Sequence, residues 1–242
     1  MLNLESIANT NLFCEPHALQ KIAQLIKKRR PSKLTFIGSG NYHYVSYLLL
    51  SEMEHPFTLI LFDHHTDTVL SPSDTLISCG SWVLESLHNL PMLKKVIIIG
   101  VSEQGLQHIP PALSDKITTI TKESLQTNFS KALTTLKHMI PTDSVYISID
   151  KDVLDVQDAI TGWDHGNMRL VEVLDMMRSV FTNKKVSGID ICGEYPINPT
   201  NAYKPETKAA VHKHNEANRI LLESIKLGLS AYSHSAHHLQ IV

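Results

Sequence analysis

The chain has 242 residues, of which 43% are hydrophobic and 19% are charged, a composition that excludes disorder along its whole length. The formal net charge of −2 argues against a nucleic acid or another polyanion as the main partner. The three cysteines (Cys14, Cys79 and Cys192) are widely spaced and form no C-x-x-C pair, which predicts a reducing, cytoplasmic setting. The first residues lack a secretory signal pattern, and no apolar run approaches the roughly 20 residues of a membrane span.

Short apolar runs alternate with longer stretches of helical period. The predicted strands are Lys33–Ile37, Phe57–Phe62, Lys95–Ile99, Lys116–Ile120, Ser144–Ile149 and Lys185–Ile191. The predicted helices are His17–Arg30, Tyr44–Glu54, Ser81–Asn89, Lys122–Met139, Met168–Phe181 and Pro205–Leu227. Because the strands are continuously apolar and alternate with helices, we expect an α/β fold, a three-layer α/β/α sandwich around a mostly parallel sheet. We expect one domain over residues 1–242, with 230–242 as a loosely held polar tail.

Histidine and aspartate follow three of these strands. The first strand leads into GSGNYH, which ends at His43; the second leads into DHHTD (63–67); the fifth leads into DKD (150–152). The carboxyl ends of parallel strands meet at one edge of the sheet, where ligands bind in such folds. Residues two apart on an extended segment face the same side, so the spacing selects Asp63, His65, Asp67, Asp150 and Asp152. His43, which follows the first strand, completes the set of six.

Four carboxylates packed in one crevice without a cation would bind protons or push the loops apart. Two carboxylates about 4 Å apart repel by roughly 4 kcal/mol at an effective dielectric of about 20. Two divalent ions would balance the four aspartates, and a set of oxygens and imidazoles without a thiolate favours Mn²⁺ or another hard ion. Such a pair of ions indicates hydrolysis by a metal-activated hydroxide.

At this point the motifs show a resemblance to a known family. FDHHTD resembles the D-x-H-x-D signature of the arginase–agmatinase (ureohydrolase) superfamily, and SIDKDVLD resembles its S-x-D-x-D motif. GSGNYH is similar to its first metal motif, and GIDICGEYP is similar to its late strand that ends in a substrate-binding acid. The resemblance covers about Phe36 to Pro196 and implies an arginase-like fold.

The resemblance also implies roles for individual residues. One Mn²⁺ would be held by His43, Asp63, Asp67 and Asp150, and the other by His65, Asp63, Asp150 and Asp152. A hydroxide between the ions, oriented by Asp67, would attack the guanidinium or amidine carbon of a small molecule and cleave a non-peptide C–N bond. Family members often form homo-oligomers, although no surface for self-association is legible in the sequence.

The sequence departs from the family pattern in three places. The segment Ser78–Trp82 lacks the family's histidine, which argues against arginine itself as substrate. After Asp152 the loop carries Trp163, Asp164 and His165; the first two are candidates for substrate binding, and His165 is a candidate proton shuttle. The alternative is that Trp163 packs within the loop and Asp164 caps the next helix.

The third departure concerns Glu194. It follows Asp190 with a D-x-x-x-E spacing, one residue longer than in the family, and it is the candidate catalytic and substrate-binding acid. Among the remaining histidines, His64 is expected to make a packing or hydrogen-bonding contact rather than bind metal, and both His212 and His214 are expected to face solvent.

Two other functions remain open on the sequence. An amide deacetylase of the related single-zinc branch would share the fold, although retention of Asp67 and Asp152 argues against it. A regulatory or ligand-binding relative that keeps the metals without the chemistry is the other, and the altered Ser78–Trp82 segment is its main support.

Overall fold

A computed structural model describes residues 2–4, 6–73 and 75–238 of the chain. The strands are β1 (Phe13–Cys14), β2 (Leu34–Phe36), β3 (Phe57–Phe62), β4 (Ile77–Ser78), β5 (Leu93–Ile99), β6 (Ile117–Ile120), β7 (Ser144–Asp150) and β8 (Lys185–Cys192). The helices are α1 (Pro16–Lys27), α2 (Val45–Leu50), α3 (Trp82–Asn89), α4 (Lys122–Met139), α5 (Leu170–Asn183) and α6 (Pro205–His238).

The central sheet has six strands in the order β2-β8-β7-β3-β5-β6, and every pairing in it is parallel. All six predicted strands belong to it. The pair β1 and β4, which the sequence analysis missed, forms a separate antiparallel ribbon of two residues per strand. Such short segments carry too few residues for an apolar period to show.

Alternate residues of β3 explain why the molecule has three layers. Ile60 and Phe62 pack into a core shared with α4, α5 and α6, whereas Leu59 and Leu61 pack into a core shared with α1, α2 and α3. All six residues of β3 are buried, as expected for a parallel strand covered on both faces. The predicted three-layer α/β/α sandwich with a parallel sheet is therefore confirmed.

Helix boundaries differ from the predictions mainly at two places. Helix α2 is shorter than the predicted Tyr44–Glu54, and α6 continues beyond the predicted end at Leu227 to His238. The prediction of a loosely held tail over 230–242 lies partly outside the described residues, since 239–242 are not among them. In the described part of the chain, none of the helices is both long and apolar enough to cross a membrane.

Candidate metal centre

Three strands, β2, β3 and β7, carry the predicted ligands to one edge of the sheet. Asp63 follows β3 directly and Asp150 is the last residue of β7, the strand beside it. His43 follows β2 after a single 3-10 turn at Gly40–Tyr42. The structure thus brings all six predicted ligands together: His43, Asp63, His65, Asp67, Asp150 and Asp152.

The first half of the centre is built around His43, which is 1% exposed. Its Nδ1 atom lies 3.2 Å from Asp67 Oδ2, 3.4 Å from Asp63 Oδ2 and 3.6 Å from Asp150 Oδ2. Ligands at about 2.0–2.2 Å from one ion lie roughly 3–3.5 Å from one another. The spacing of these atoms is therefore that of groups that share one cation.

The second half is built around His65. Its Nδ1 atom is 3.0 Å from Asp152 Oδ2 and 3.5 Å from Asp63 Oδ1. Backbone N–H groups hold the carboxylates: His65 donates to Asp63 Oδ1, and His64 donates to Asp152 Oδ1. Asp63 therefore belongs to both halves, with Oδ2 turned to His43 and Oδ1 to His65.

A chain of buried hydrogen bonds fixes which nitrogen of His43 faces the carboxylates. The Ser148 hydroxyl donates to Asp190 Oδ1 at 2.7 Å, and Ser46 donates to the same oxygen. Ser148 Oγ therefore accepts from His43 Nε2, 2.9 Å away, which leaves the Nδ1 lone pair free to bind an ion. Partners of this kind orient metal-binding histidines in many proteins.

Two observations show that these residues fit a cation. Asp63 Oδ2 is buried and has no hydrogen-bond partner, and a buried polar atom without such a partner is costly. His43 Nδ1 faces three carboxylate oxygens, and none of them can donate a proton when ionised. A divalent ion between these atoms would satisfy all of them.

Without an ion, protons take its place. Burial alone would lower the pKa of His43, but Cys192 and the carboxylates of Asp63 and Asp67 raise it well above its ordinary value. Burial and the charge of Asp63 raise the pKa of Asp67 to about 6. Burial, together with the neighbouring Asp150 and Asp63, also raises the pKa of Asp152.

Asp67 has the most constrained backbone of the ligands. Its φ of 52° places it in the left-handed region, where a non-glycine residue is strained. Its backbone carbonyl accepts from Val83 N–H at the start of α3, and its Oδ2 accepts from the Trp82 indole. Contacts with α3 thus hold Asp67 in this strained conformation, in which its carboxylate reaches His43. Its role in orienting the hydroxide stays a prediction.

A crevice of about 660 Å³ opens over the centre. The residues that line it include all six ligands, Trp163 and Asp164, the segment 78–80, and an outer wall of apolar side chains: Leu12, Phe13, Val69 and Leu70. Such a volume suits a small molecule.

Trp163 and Asp164 both reach this crevice. Asp164 Oδ1 is 3.0 Å from His65 Nε2, Oδ2 is 3.5 Å from His64 Nε2, and the carboxylate is 72% exposed. Trp163 packs edge-on against His65 at 5.8 Å and donates its indole N–H to Asn41. The alternative that Asp164 caps the next helix is wrong, because Arg169 is the N-cap of α5.

His165 does not reach the crevice. Its Nε2 atom accepts the backbone N–H of Thr161 at 3.0 Å, and its Nδ1 atom lies 3.0 Å from the carbonyl of Leu154. Both ring nitrogens are therefore engaged by the loop backbone. This position braces the loop and gives no support to the predicted proton shuttle.

Glu194 is also turned away from the crevice. Its Oε1 atom accepts from Lys151 Nζ and from Asn218 Nδ2 of α6. Lys151 is fully buried, and its charge holds the pKa of Glu194 down against the effect of burial. The family's D-x-x-E spacing places the acid at Gly193, which has no side chain to offer.

His214 belongs to this buried group, so the expectation that it faces solvent is wrong. It is 1% exposed, its Nδ1 atom is 3.5 Å from Glu194 Oε2, and its Nε2 atom meets the backbone at Ile160 and Tyr195. His212 is exposed as expected. The helical period alone could not show that this face of α6 covers the loops behind the centre.

Cys192 is the residue near the ligands that the sequence analysis missed. It ends β8, in register with Asp150 on β7, and its thiol donates to Asp150 Oδ2 at 3.1 Å. Cys192 could have been identified from the rule that ligand-binding residues lie at the carboxyl ends of the strands. The predicted strand ended one residue too early, at Ile191, so Cys192 was not among the candidate ligands.

We expect the affinity for divalent ions to rise with pH, because ligands must lose protons before they bind. Because the pKa values of His43 and Asp67 are raised, each proton that the ion displaces should increase the metal affinity by as much as about tenfold per pH unit. Calorimetric titration of Mn²⁺ in buffers of different protonation enthalpy would measure the protons released. An affinity independent of pH would contradict the expected protonation of the metal-free centre.

Gly193→Ala should weaken metal binding. The residue has φ +86°, and an added Cβ would lie 2.4 Å from Asp150 Oδ1 and 2.7 Å from Lys151 N, so Asp150 must move. We expect a loss of about 10–100-fold in metal affinity, the usual effect of displacing a group that supports a metal site.

Gly38→Ala is the matched control for this change. Gly38 has a similar φ of +100°, but nothing lies within 4 Å of its added Cβ. Both variants should lose about 1 kcal/mol of stability or more from backbone strain. Equal metal affinity in the two variants would show that Asp150 does not need the space at Gly193.

Comparison with known proteins places this centre in a family. A model described as the arginase family matches residues 4–214. An uncharacterized protein of Thermotoga maritima is 35% identical over 166 residues, which are 68% of this chain and 60% of that protein.

Solved structures with the same fold include formimidoylglutamase from Bacillus subtilis (20% identity, TM-score 0.62, covering 88% of this chain and 66% of that one). Agmatine ureohydrolase of Thermoplasma volcanium is 15% identical with a TM-score of 0.62, over 96% of this chain and 71% of that one. A hypothetical agmatinase from Burkholderia thailandensis is 18% identical with a TM-score of 0.61, over 87% and 65% of the two chains.

The chain spans 60% of the length of the Thermotoga protein and 65% of the Burkholderia protein. The family model nevertheless covers most of this chain and every predicted metal ligand. The chain therefore belongs to the arginase family.

Proposed function

We propose that this protein is a dinuclear metal-dependent hydrolase that cleaves a non-peptide C–N bond in a small guanidino or amidino compound. One observation carries the proposal: two groups of residues, His43–Asp63–Asp67 and Asp63–His65–Asp152, share Asp63, and within each group the ligand atoms all lie within 4.8 Å of one another. The placement of this pair at the foot of an open crevice, and membership of the arginase family, support the same reaction.

The aspartates and histidines hold the proposed ions. His43 and Asp67 would hold one ion, His65 and Asp152 would hold the other, and Asp63 and Asp150 lie between them. The many carboxylate oxygens favour Mn²⁺ or another hard ion. When bound, such a pair lowers the pKa of a water molecule and supplies the nucleophile. The protein's own task is to keep the carboxylates ionised, oriented and close to the crevice floor.

Asp164 and Trp163 are the proposed groups for the cationic end of the substrate. Asp164 is an exposed carboxylate beside His65, and Trp163 presents its ring at the same side of the crevice. A planar guanidinium pairs with a carboxylate and stacks on an aromatic ring. Glu194, whose carboxylate is neutralised by Lys151, is not needed for this contact.

The rest of the crevice favours a substrate without a carboxylate tail. Among its described lining residues there is no lysine or arginine, and the outer wall is apolar at Leu12, Phe13, Val69 and Leu70. A carboxylate placed there would lose hydration without gaining a lysine or arginine as partner. An uncharged or amine-bearing tail has no such cost.

The three unpaired cysteines support a reducing setting, and we propose that the protein acts in the cytoplasm. A homo-oligomer stays a prediction from family resemblance.

The test is a screen of Mn²⁺-loaded protein for release of urea, ammonia or amine from guanidino and amidino compounds. Asp63→Asn should reduce turnover by about 100-fold or more, because it removes the ligand common to both ions. Asp175→Asn, at a surface pair with Arg178, should leave activity and metal content unchanged. Full metal loading with no turnover of any such compound would refute the proposed activity.

The nature of the tail should decide which compounds are hydrolysed. In a series with the same guanidino group and chain length, kcat/KM for a carboxylate tail should be at least about tenfold below that for a neutral tail, the cost of an unpaired buried charge. Gln107→Lys places a cation in the crevice wall and should reduce the difference in kcat/KM between the neutral and the carboxylate tail. Preference for the carboxylate in the unsubstituted protein would refute this account of the crevice.

A second candidate function is a metal-binding protein that binds such a compound without cleaving it. The positions of His165 and Glu194, both turned away from the crevice, favour it. Ligand binding without turnover, unchanged by Asp67→Asn, would identify this case. Hydrolysis of an acetylated amine in the same screen would instead indicate a deacetylase, although the second ligand group at Asp152 has no use in a single-zinc enzyme.

A further inference from the structure

Cys192 lies among the atoms that would hold the ion on the His43 side. His43, Asp150 and Cys192 each offer a ligand atom within 4.8 Å of the others, and all three are buried. The register of β7 and β8 pairs Cys192 directly with Asp150, so the two side chains emerge on the same side of the sheet.

The distances fit a shared ion. Cys192 Sγ is 3.1 Å from Asp150 Oδ2, the oxygen that lies 3.6 Å from His43 Nδ1. A thiolate at about 2.3 Å and a carboxylate oxygen at about 2.1 Å from one ion are roughly 3.1–3.6 Å apart for ligand angles between 90° and the tetrahedral value.

An independent observation points to a cation beside His43. The buried, unpartnered Asp63 Oδ2 is 3.4 Å from His43 Nδ1. The thiol and the orphaned oxygen therefore belong to two ligand groups that share His43.

On the basis of the dinuclear centre proposed above, we propose that Cys192 is a direct ligand of the His43-side ion. On binding, the S–H bond breaks, a metal–sulfur bond forms, and the proton passes to solvent; no atom changes oxidation state. A sulfur ligand favours softer ions. The His43 side therefore prefers Zn²⁺ or Co²⁺ over Mn²⁺, whereas the His65 side, without sulfur among its described ligand atoms, keeps the preference for hard ions.

The two sides of the centre thus differ in chemistry. The expectation of Mn²⁺ rests on a ligand set without sulfur, whereas the thiol of Cys192 lies beside Asp150. A centre with one sulfur-bearing and one oxygen-rich half would bind two different metals in order of softness.

Absorption spectroscopy of the full chain loaded anaerobically with Co²⁺ tests the proposal. We expect a near-ultraviolet band from charge transfer between sulfur and cobalt in the unsubstituted protein. Cys192→Ser should lose this band while it still binds Co²⁺, because serine keeps the hydrogen bond to Asp150 without the sulfur. The same variant should lose about tenfold or more in its preference for Zn²⁺ over Mn²⁺.

Cys79→Ser is the matched control, since Cys79 also lines the crevice but is in none of the three ligand groups. It should keep the band. Co²⁺ bound without the band, or a band that survives Cys192→Ser, would overturn the sulfur ligand and leave the proposed hydrolase intact. A folded chain that binds none of Co²⁺, Zn²⁺ and Mn²⁺ would overturn both proposals.

If Cys192→Ser fails to fold, Cys192→Val, of similar size, provides the same comparison of spectra and metal preference. Loss of the band together with unchanged preference for Zn²⁺ would overturn the selectivity while confirming the ligand. Neither readout requires the substrate to be known.

Discussion

The mutual repulsion of four buried carboxylates is the constraint on which the rest of the structure depends. Asp63, Asp67, Asp150 and Asp152 are all buried at one edge of the sheet, and two such charges about 4 Å apart repel by roughly 4 kcal/mol at an effective dielectric of about 20. Protons or cations must offset this repulsion. The parallel sheet can hold the aspartates together because its large core, on both faces, does not depend on them.

The carboxylates are oriented by the chain itself. The N–H groups of His64, His65 and Asp152 each hold a carboxylate oxygen, and the Ser148–Asp190 pair orients His43. Because these bonds come from strand ends and tight turns, the geometry is set by the backbone before any ion arrives. Preorganised ligands of this kind have little conformational freedom left to lose on binding.

The sequence predicted the parts of the centre that follow from local spacing. Continuous apolar runs predicted the strands, and alternation along an extended segment selected Asp63, His65 and Asp67. The orientation of Glu194 could not be predicted, because it depends on Lys151 and on Asn218, which lies 24 residues further along in a helix that packs behind the centre. Contacts of that range have no periodic signal in the sequence.

The buried ion pair of Lys151 and Glu194 also explains how the crevice is organised. Lys151, the residue after Asp150, pairs with Glu194 and holds it behind the centre. Gly193 has no side chain, which leaves the space that the Asp150 carboxylate occupies. An acid for a cationic substrate must then come from another element. Asp164 satisfies this requirement from the loop after β7, beside His65. Under the proposed function, the cationic group of the substrate is therefore held on the His65 side of the centre and not on the His43 side.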